Sequence, residues 1–214
     1  MINFLFGLIL FIAAPVNDSS FFEGRIDLVE ESQYDTFFYT YFIKDKYIRV
    51  DKFDENHKII QTELINIEKK EIIVLSPSKK LYTRLKSSSD LILKGQNFTI
   101  IKTENTRQIK GKECYLWRVR NKELNKEVAY WVAENNYYFF NDFIKLLNHT
   151  EKTFEFFEII PDSQGFFPML TVERTLLRKE KRRIEVIEIK SQKINDTMFE
   201  IPSGFEEIKT NPQF

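Results

Sequence analysis

The sequence predicts a mainly β protein, built on one large antiparallel sheet that is accompanied by one clear amphipathic helix. Apolar and polar residues alternate over most of the chain after residue 20, as in strands that have one covered face. Short polar turns separate these strands, and connections of that length join antiparallel neighbours. A single segment near residue 140 instead repeats its apolar residues at helical spacing.

The chain begins with an apolar run at residues 4–14. About eleven apolar residues are too few to cross a ~30 Å hydrocarbon core, which requires ~20. The length matches the apolar part of a secretory signal peptide, and the pair Ala13 and Ala14 matches its cleavage site. We therefore expect a cleavable signal peptide at 1–15 and a single exported domain at 16–214. A buried N-terminal strand or helix is the alternative.

The first half of the exported domain is predicted to be a meander. Its expected strands are 21–31, 36–44, 47–51, 59–67, 71–75 and 80–85. In the strand at 36–44 both faces carry apolar residues, so both faces of the sheet could be covered there. The polar residues 87–90 interrupt the alternation, and they are expected to cap a short helix at 91–94 that Gly95 ends.

The second half continues the sheet. Its expected strands are 98–103, 106–110, 113–120, 127–133, 169–177 and 184–189. The apolar phase slips at Val186 and Ile187, which predicts a β-bulge there. The total is eleven or twelve strands, and an antiparallel sheet of that size usually curls or closes.

The helical segment is predicted at 138–148. Its apolar residues recur three or four positions apart, which gives a wide apolar stripe. They are Tyr137, Phe140, Phe143, Ile144 and Leu147. A helix with such a face must lie on the sheet or fill its concavity. The alternative is a helix whose only role is to cover the core.

Composition excludes several functions. The 32 basic and 32 acidic residues give zero net charge, so nucleic acid is not expected as a partner, and charge gives no case for adhesion to an anionic membrane. The chain has two histidines and one cysteine, Cys114, which cannot complete a zinc set. Because no nucleophile elbow or phosphate-binding loop occurs either, we expect no metal, no cofactor and no catalysis. The alternatives are a calcium site made of carboxylates alone and an enzyme of unknown class. Cys114 is expected to be a small buried residue.

Residues 178–183 form the most concentrated charge in the chain, with five basic side chains and one acidic one. A functional interpretation is a docking patch for an anionic partner. The alternative is a solvated hairpin turn, whose charge discourages pairing between sheet edges.

The 21 phenylalanines imply either a thick core or an apolar cavity lined by rings. Rings on strands that face an apolar helix could surround an acyl chain, or they could equally fill a core. The candidate liners of such a cavity are Phe37, Tyr39, Tyr41, Trp117, Trp131, Phe140, Phe143 and Leu147.

Several short strings resemble one family of exported bacterial proteins. Residues 195–205 resemble the ending Phe-x-Ile-Pro-x-Gly-Tyr/Phe of proteins with the lipoprotein-carrier, or LolA-like, fold. Residues 109–119 resemble an Ile-x-Gly-Tyr-x-Cys segment of related periplasmic families, and 130–134 are similar to the aromatic element that often follows it. Residues 22–26 and 47–51 are similar to the start of such chains.

The resemblance implies an unclosed antiparallel β-barrel, a large curved sheet whose concave face is covered by one or two helices and binds hydrophobic groups. It implies a periplasmic monomer without a stable membrane span, which binds a lipid or the acyl chains of a lipoprotein and could act as a carrier. The alternative is an envelope sensor or interaction module that has a filled core and a protein partner. No residue of this chain corresponds to a carrier's functional arginine.

Overall fold

A computed structural model describes residues 21–86, 97–147, 154 and 156–209. The predicted signal peptide, the helix predicted at 91–94 and Asn148 at the end of the longer predicted helix lie outside these residues. Within them the chain forms twelve strands and one α-helix. The strands make one large, unclosed and almost entirely antiparallel sheet, which confirms the predicted fold class.

The first six strands form a meander in which each strand pairs with the next. They are β1 (Gly24–Ser32), β2 (Thr36–Lys44), β3 (Tyr47–Phe53), β4 (Ile59–Asn66), β5 (Glu71–Ser76) and β6 (Leu81–Lys86). All six strands were expected from the alternation, and their bounds differ from the expected ones by three residues at most.

The second half forms another meander, into which the helix is inserted. Its elements are β7 (Phe98–Ile109), β8 (Lys112–Asn121), β9 (Lys126–Glu134), α1 (Phe139–Leu147), β10 (Phe166–Thr175) and β11 (Glu180–Ser191). A two-residue strand, β12 (Glu206–Glu207), follows near the C-terminus and pairs in parallel with β6.

Pairing between β1 and β11 joins the two meanders. The strand order is β12-β6-β5-β4-β3-β2-β1-β11-β10-β9-β8-β7, so β7 and β12 stand at the two edges. The first strand of the chain therefore lies in the middle of the sheet, and each half of the chain extends from it in one direction.

The β1–β11 pairing contains the β-bulge that the sequence predicted. Asp27 lies opposite Glu188 and Leu28 lies opposite Val186, so Ile187 is the extra residue between them. The Ile187 side chain is 43% exposed, whereas Val186 is fully buried. The bulge resets the phase of β11, so that apolar residues on both sides of it face the same way.

Three segments differ from the expected ones, and the first is β10, which spans 166–175 and not 169–177. The segments expected as strands at 98–103 and 106–110 form the single strand β7, because a register shift between Lys102 and Thr106 lets it continue along β8. The expected charged turn at 178–183 is shorter, because β11 already begins at Glu180 and pairs there with β10.

The two faces of the sheet have different characters. On one face, which we call the covered face, neighbouring strands carry a row of isoleucines that lie opposite one another and are at most 2% exposed. The row consists of Ile43, Ile48, Ile65 and Ile72. Directly opposed β-branched side chains pack closely on a pleated surface, which explains why these strands pair in this register.

The opposite face, which we call the open face, carries a ladder of polar groups across β1 to β4. Thr40 donates its hydroxyl proton to Asp27 at 2.8 Å, and Thr62 donates to Asp51 at 2.6 Å. Arg49 Nε lies 3.0 Å from both carboxylate oxygens of Asp51, whose side chain is only 6% exposed. Each buried carboxylate of the ladder is thereby satisfied.

Residues 192–208, which we call the C-terminal strap, lie against this face. Their 3₁₀ helix, Asp196–Phe199, contacts β3. Arg49 donates from Nη1 to the carbonyl oxygen of Met198 at 3.1 Å, so one guanidinium holds both the strap and the carboxylate of Asp51. The strap contains the whole string, 195–205, that resembles the LolA-like ending.

We predict that Arg49→Ala lowers the free energy of unfolding by about 3 kcal/mol, because it leaves the carboxylate of Asp51 buried without its cation. Urea unfolding measures this loss, and limited proteolysis should show faster cleavage within the strap. Arg183→Ala is the matched control, since its ion pair with Glu180 is partly exposed, involves no residue of the strap and should contribute less than about 1 kcal/mol. Equal losses in the two variants would contradict the role given to Arg49.

Candidate ligand-binding face

Helix α1 places a continuous apolar stripe on the covered face, as its spacing predicted. Its buried residues are Phe139, Phe140, Phe143, Ile144, Leu146 and Leu147. The polar residues Asn141, Asp142 and Lys145 lie on the other side of the helix. Burial of the apolar stripe is what keeps so short a helix folded, because nine residues are too few for an isolated helix to be stable in water.

Phe140 lies at the centre of an aromatic cluster and is completely buried. Besides the adjacent ring of Phe139 at 6.3 Å, four further phenylalanine rings have their centroids between 4.7 and 6.3 Å from its own, mostly edge to face. They are Phe143, Phe154, Phe157 and Phe167. Edge-to-face geometry is the favoured arrangement of such rings, so the cluster is closely packed as well as apolar.

The cluster joins the helix to strands from both halves of the chain. The ring of Phe143 meets Tyr41 of β2 edge to face at 5.4 Å. Phe157 meets Tyr130 of β9 at 5.2 Å and stacks on Trp117 of β8 at 6.2 Å. The covered face is therefore lined by rings from β2 across to β8.

A second covering segment follows the helix, and sequence reasoning assigned it no role. Phe156, Phe157 and Ile160 are at most 3% exposed, although residues 156–160 form turns and not a regular helix. The spacing of 154, 157 and 160 is helical, and that signal could have identified the segment. The acidic residues between them hid the pattern by imitating the alternation of a strand.

The structure brings six of the eight predicted liners into one buried core. These six are at most 5% exposed, and they are Tyr39, Tyr41, Trp117, Phe140, Phe143 and Leu147. Their role as liners of a ligand cavity stays a prediction, because side chains of α1 and of the turns at 156–160 occupy the space beside them.

The other two predicted liners lie elsewhere. Phe37 is half-buried at the margin of the covered face, where the ammonium group of Lys52 lies 4.3 Å from its ring centroid. Trp131 follows Tyr130 directly in β9, and successive side chains of a strand point to opposite faces. Trp131 therefore belongs to the open face, where the guanidinium of Arg107 lies 5.1 Å from its ring centroid.

Beyond the aromatic cluster, the covered face carries charged residues. We call this region the polar margin, and it consists of Glu30, Lys126, Glu173 and Arg182. Arg182 lies between two carboxylates, 3.4 Å from Glu30 and 3.1 Å from Glu173. Lys126 reaches Glu173 at 3.3 Å. The hydroxyl of Tyr39 donates to Glu30 at 2.9 Å, which links the margin directly to the aromatic cluster.

Cys114 is the small buried residue that the sequence predicted, with no exposed surface. Burial raises the pKa of its thiol to about 11, because the thiolate would lose its hydration. The thiol is therefore protonated at neutral pH and is a poor nucleophile.

Two further properties concern the part of the chain that the structure describes. No three His, Cys, Asp or Glu side chains come together there in a way that could hold a metal ion. No helix in that part is long and apolar enough to cross a bilayer.

Comparison with known proteins gives a family and a fold. The family described as "Domain of unknown function (DUF4412)" matches residues 22–205. No curated protein matches the chain. An uncharacterized conserved protein from Thermus thermophilus has a TM-score of 0.51 and 8% sequence identity, and the match covers 87% of this chain and 90% of that one. At that identity the likeness shows the fold alone.

Two other solved structures are less similar. The MucA/MucB complex of Pseudomonas aeruginosa gives a TM-score of 0.45 at 6% identity, and the match covers 82% of this chain and 54% of that one. A putative outer membrane lipoprotein-sorting protein domain from Vibrio parahaemolyticus gives 0.33 at 6% identity, with 82% and 87% covered. The LolA-like resemblance is thus matched only at low similarity, and these two likenesses carry no argument about function.

We predict that Phe140→Ala lowers the free energy of unfolding by about 3–5 kcal/mol, because it opens a void among four rings. Urea unfolding followed by tryptophan fluorescence measures the loss. Tyr138→Ala, two residues away and 51% exposed, should change stability by about 0.5 kcal/mol or less. Similar losses in both variants would mean that the cluster is not the packing centre.

Proposed function

The chain belongs to the DUF4412 family, and from that premise we propose that it is an exported periplasmic protein that binds an apolar ligand on the covered face of its sheet. The ligand class is a lipid or the acyl chains of a lipoprotein, and the protein acts by binding and release, without catalysis. Helix α1 serves as the lid.

The observation that carries this proposal is the way α1 is attached. Among contacts between described residues, one side-chain hydrogen bond joins the helix to another segment, from Asn141 Nδ2 to Ser163 Oγ at 2.8 Å. The other contacts of its buried side are apolar. Apolar contacts are not directional, so an acyl chain can take the place of the helix against Tyr41 and Phe167, and burial of the chain offsets the cost of exposing the apolar face of the helix.

The position of the polar margin supports an amphipathic ligand. With α1 displaced, an acyl chain would lie on the rings that the strands contribute, Tyr41 and Tyr130 among them, while its polar end reaches the margin, where Arg182 and Lys126 offer donors. Both cations are already paired with carboxylates, so a headgroup competes with Glu30 and Glu173. We therefore expect a weakly polar or zwitterionic headgroup to bind better than a strongly anionic one.

A second candidate function is favoured by the packing itself. Phe140 is completely buried among four rings, as in an ordinary protein core. A protein with such a core could be an envelope sensor or interaction module that uses an edge or a loop and takes no small ligand.

Native mass spectrometry of the mature protein distinguishes the two functions. The protein is purified from the bacterial envelope without detergent, its intact mass is recorded, and its organic extract is analysed. A bound species of lipid or acyl mass is the expected result. A bare protein mass, together with no uptake of a fluorescent fatty acid, would contradict ligand binding and favour the interaction module.

We predict that Asn141→Ala accelerates uptake of a fluorescent fatty acid, because it removes the hydrogen bond that holds the lid. The same variant should lower the free energy of unfolding by about 1 kcal/mol. Lys145→Ala is the matched control, since its ion pair with Asp142 stays within the helix and is exposed. Stopped-flow fluorescence measures the rates, and equal rates for both variants and the wild type would argue against α1 as the lid.

A further inference from the structure

Three hairpin turns lie next to one another at one end of the sheet. They join β1 to β2 at residues 33–35, β8 to β9 at 122–125, and β10 to β11 at 176–179. The strands concerned are consecutive in the sheet, in the order β2-β1-β11-β10-β9-β8. Neighbouring turns are therefore roughly 10 Å apart, which is twice the spacing of paired strands. We call these three turns the tip cluster.

The tip cluster displays large apolar side chains to solvent. Tyr34 and Leu177 are each 90% exposed, and Leu124 and Leu176 are 47% and 37% exposed. No other described large apolar side chain is as exposed as Tyr34 and Leu177. At the opposite end, the turns at 45–46, 67–70 and 110–111 expose no large apolar side chain, while Phe21 and Tyr138, whose rings contact one another, are 64% and 51% exposed there. Exposed apolar surface that is concentrated in neighbouring turns marks an interaction site.

The turns are held rigidly and are connected to one another. The hydroxyl oxygen of Ser32 accepts hydrogen bonds from the backbone of Tyr34 and Asp35, at 3.2 and 3.0 Å. The side-chain oxygen of Asn125 accepts from the backbone of Leu176 at 3.2 Å, which ties the second turn to the third. The apolar side chains thus project from turns in which part of the backbone N–H groups are already hydrogen-bonded. These hydrogen bonds lower the free-energy cost of placing the turns in an apolar medium.

The turn between β10 and β11 is also positively charged. Arg178, Lys179 and Lys181 make no ion pair with any residue that the structure describes. The one acid among them, Glu180, is neutralised by Arg174 at 3.5 Å and by Arg183 at 3.1 Å. Uncompensated positive charge therefore flanks Leu177 within its own turn, whereas each of the two neighbouring turns carries one acidic residue, Asp35 and Glu123.

We propose that the tip cluster docks the protein reversibly on an anionic lipid bilayer. Tyr34, Leu124 and Leu177 enter the interfacial region while Arg178 and Lys179 contact lipid phosphates. Separate protrusions suit a fluid surface, which deforms around each one, better than a protein partner, which needs a continuous complementary patch. Tyrosine is enriched at the bilayer interface, and each basic residue near an anionic leaflet adds to the attraction.

The polar margin lies at this same end of the sheet, since Glu30 and Glu173 precede two of the three turns by a few residues. Docking would therefore bring the entrance of the covered face close to the bilayer, where a lipid ligand is found. This consequence rests on the proposed function, whereas the docking itself does not depend on any ligand.

Cosedimentation with vesicles tests the docking. The wild-type protein should bind vesicles made of equal parts of phosphatidylcholine and phosphatidylglycerol, and bind phosphatidylcholine alone much more weakly. The double variant Leu124→Ser with Leu177→Ser should bind the anionic vesicles about ten-fold less tightly or worse, because it removes two apolar anchors. Ile208→Ser, which alters an apolar residue of 48% exposure away from the turns, should bind as the wild type does.

A charge variant tests the electrostatic part. Arg178→Gln with Lys179→Gln should weaken binding to the anionic vesicles and reduce its dependence on salt. Lys69→Gln with Lys70→Gln is the matched control at the opposite end of the sheet, because Lys70 has a positive φ of 53° as Arg178 has one of 67°. Equal effects of the two double variants would overturn the proposal.

Site-specific labelling keeps the proposal testable if a variant folds poorly. Because Cys114 is buried and protonated, Leu177→Cys can be labelled selectively with an environment-sensitive fluorophore. Emission should shift to the blue with anionic vesicles, and a label at Lys70→Cys should not respond. No shift at position 177, or no sedimentation of the wild type, would overturn the docking even if mass spectrometry had found a bound lipid.

Discussion

The pairing of β1 with β11 is the contact on which the rest of the structure depends. It joins residues near the start of the domain to residues near its end, and it turns two separate meanders into one sheet. Neither meander forms the covered face by itself, because Tyr41 comes from the first half of the chain and Trp117 and Tyr130 come from the second. Closing so long a loop carries an entropic cost before contacts form, so we expect the helix to dock late in folding.

Under the proposed function, the covered face has two roles, as a packed core and as a ligand-binding surface. Phe140 and Phe143 fill the core when α1 is in place, and the surface they cover is the one that would accept an acyl chain. Since ligand and helix need the same apolar partners, binding requires the helix to leave, and the affinity is the difference between two similar burial energies. A protein of this kind can release its ligand easily, which suits transfer more than storage.

For contact with an anionic surface, the distribution of charge over the protein matters more than its net charge. The chain has zero net charge, and that average offered no reason to expect contact with an anionic surface. The structure groups Arg178, Lys179 and Lys181 beside Leu177 and pairs Glu180 with arginines, which leaves a local positive field at one end of the sheet. Within a Debye length, a partner responds to this local field and not to the total charge.

The sequence by itself determined most of the strands, the helix and the bulge at Ile187, because each leaves a local period or a slip of phase in consecutive residues. It did not predict β12, and it divided β7 into two strands. It also identified six aromatic and aliphatic residues that the fold buries together. The tertiary structure alone decided that Trp131 faces away from them, that the turns at 156–160 cover the sheet, and that the C-terminal strap is held by Arg49. An apolar residue at every second position shows that alternate side chains share one face of the strand, but it does not show which face of the sheet is covered. That choice depends on which strands pair and in what register, and both are fixed by contacts between residues far apart in the chain.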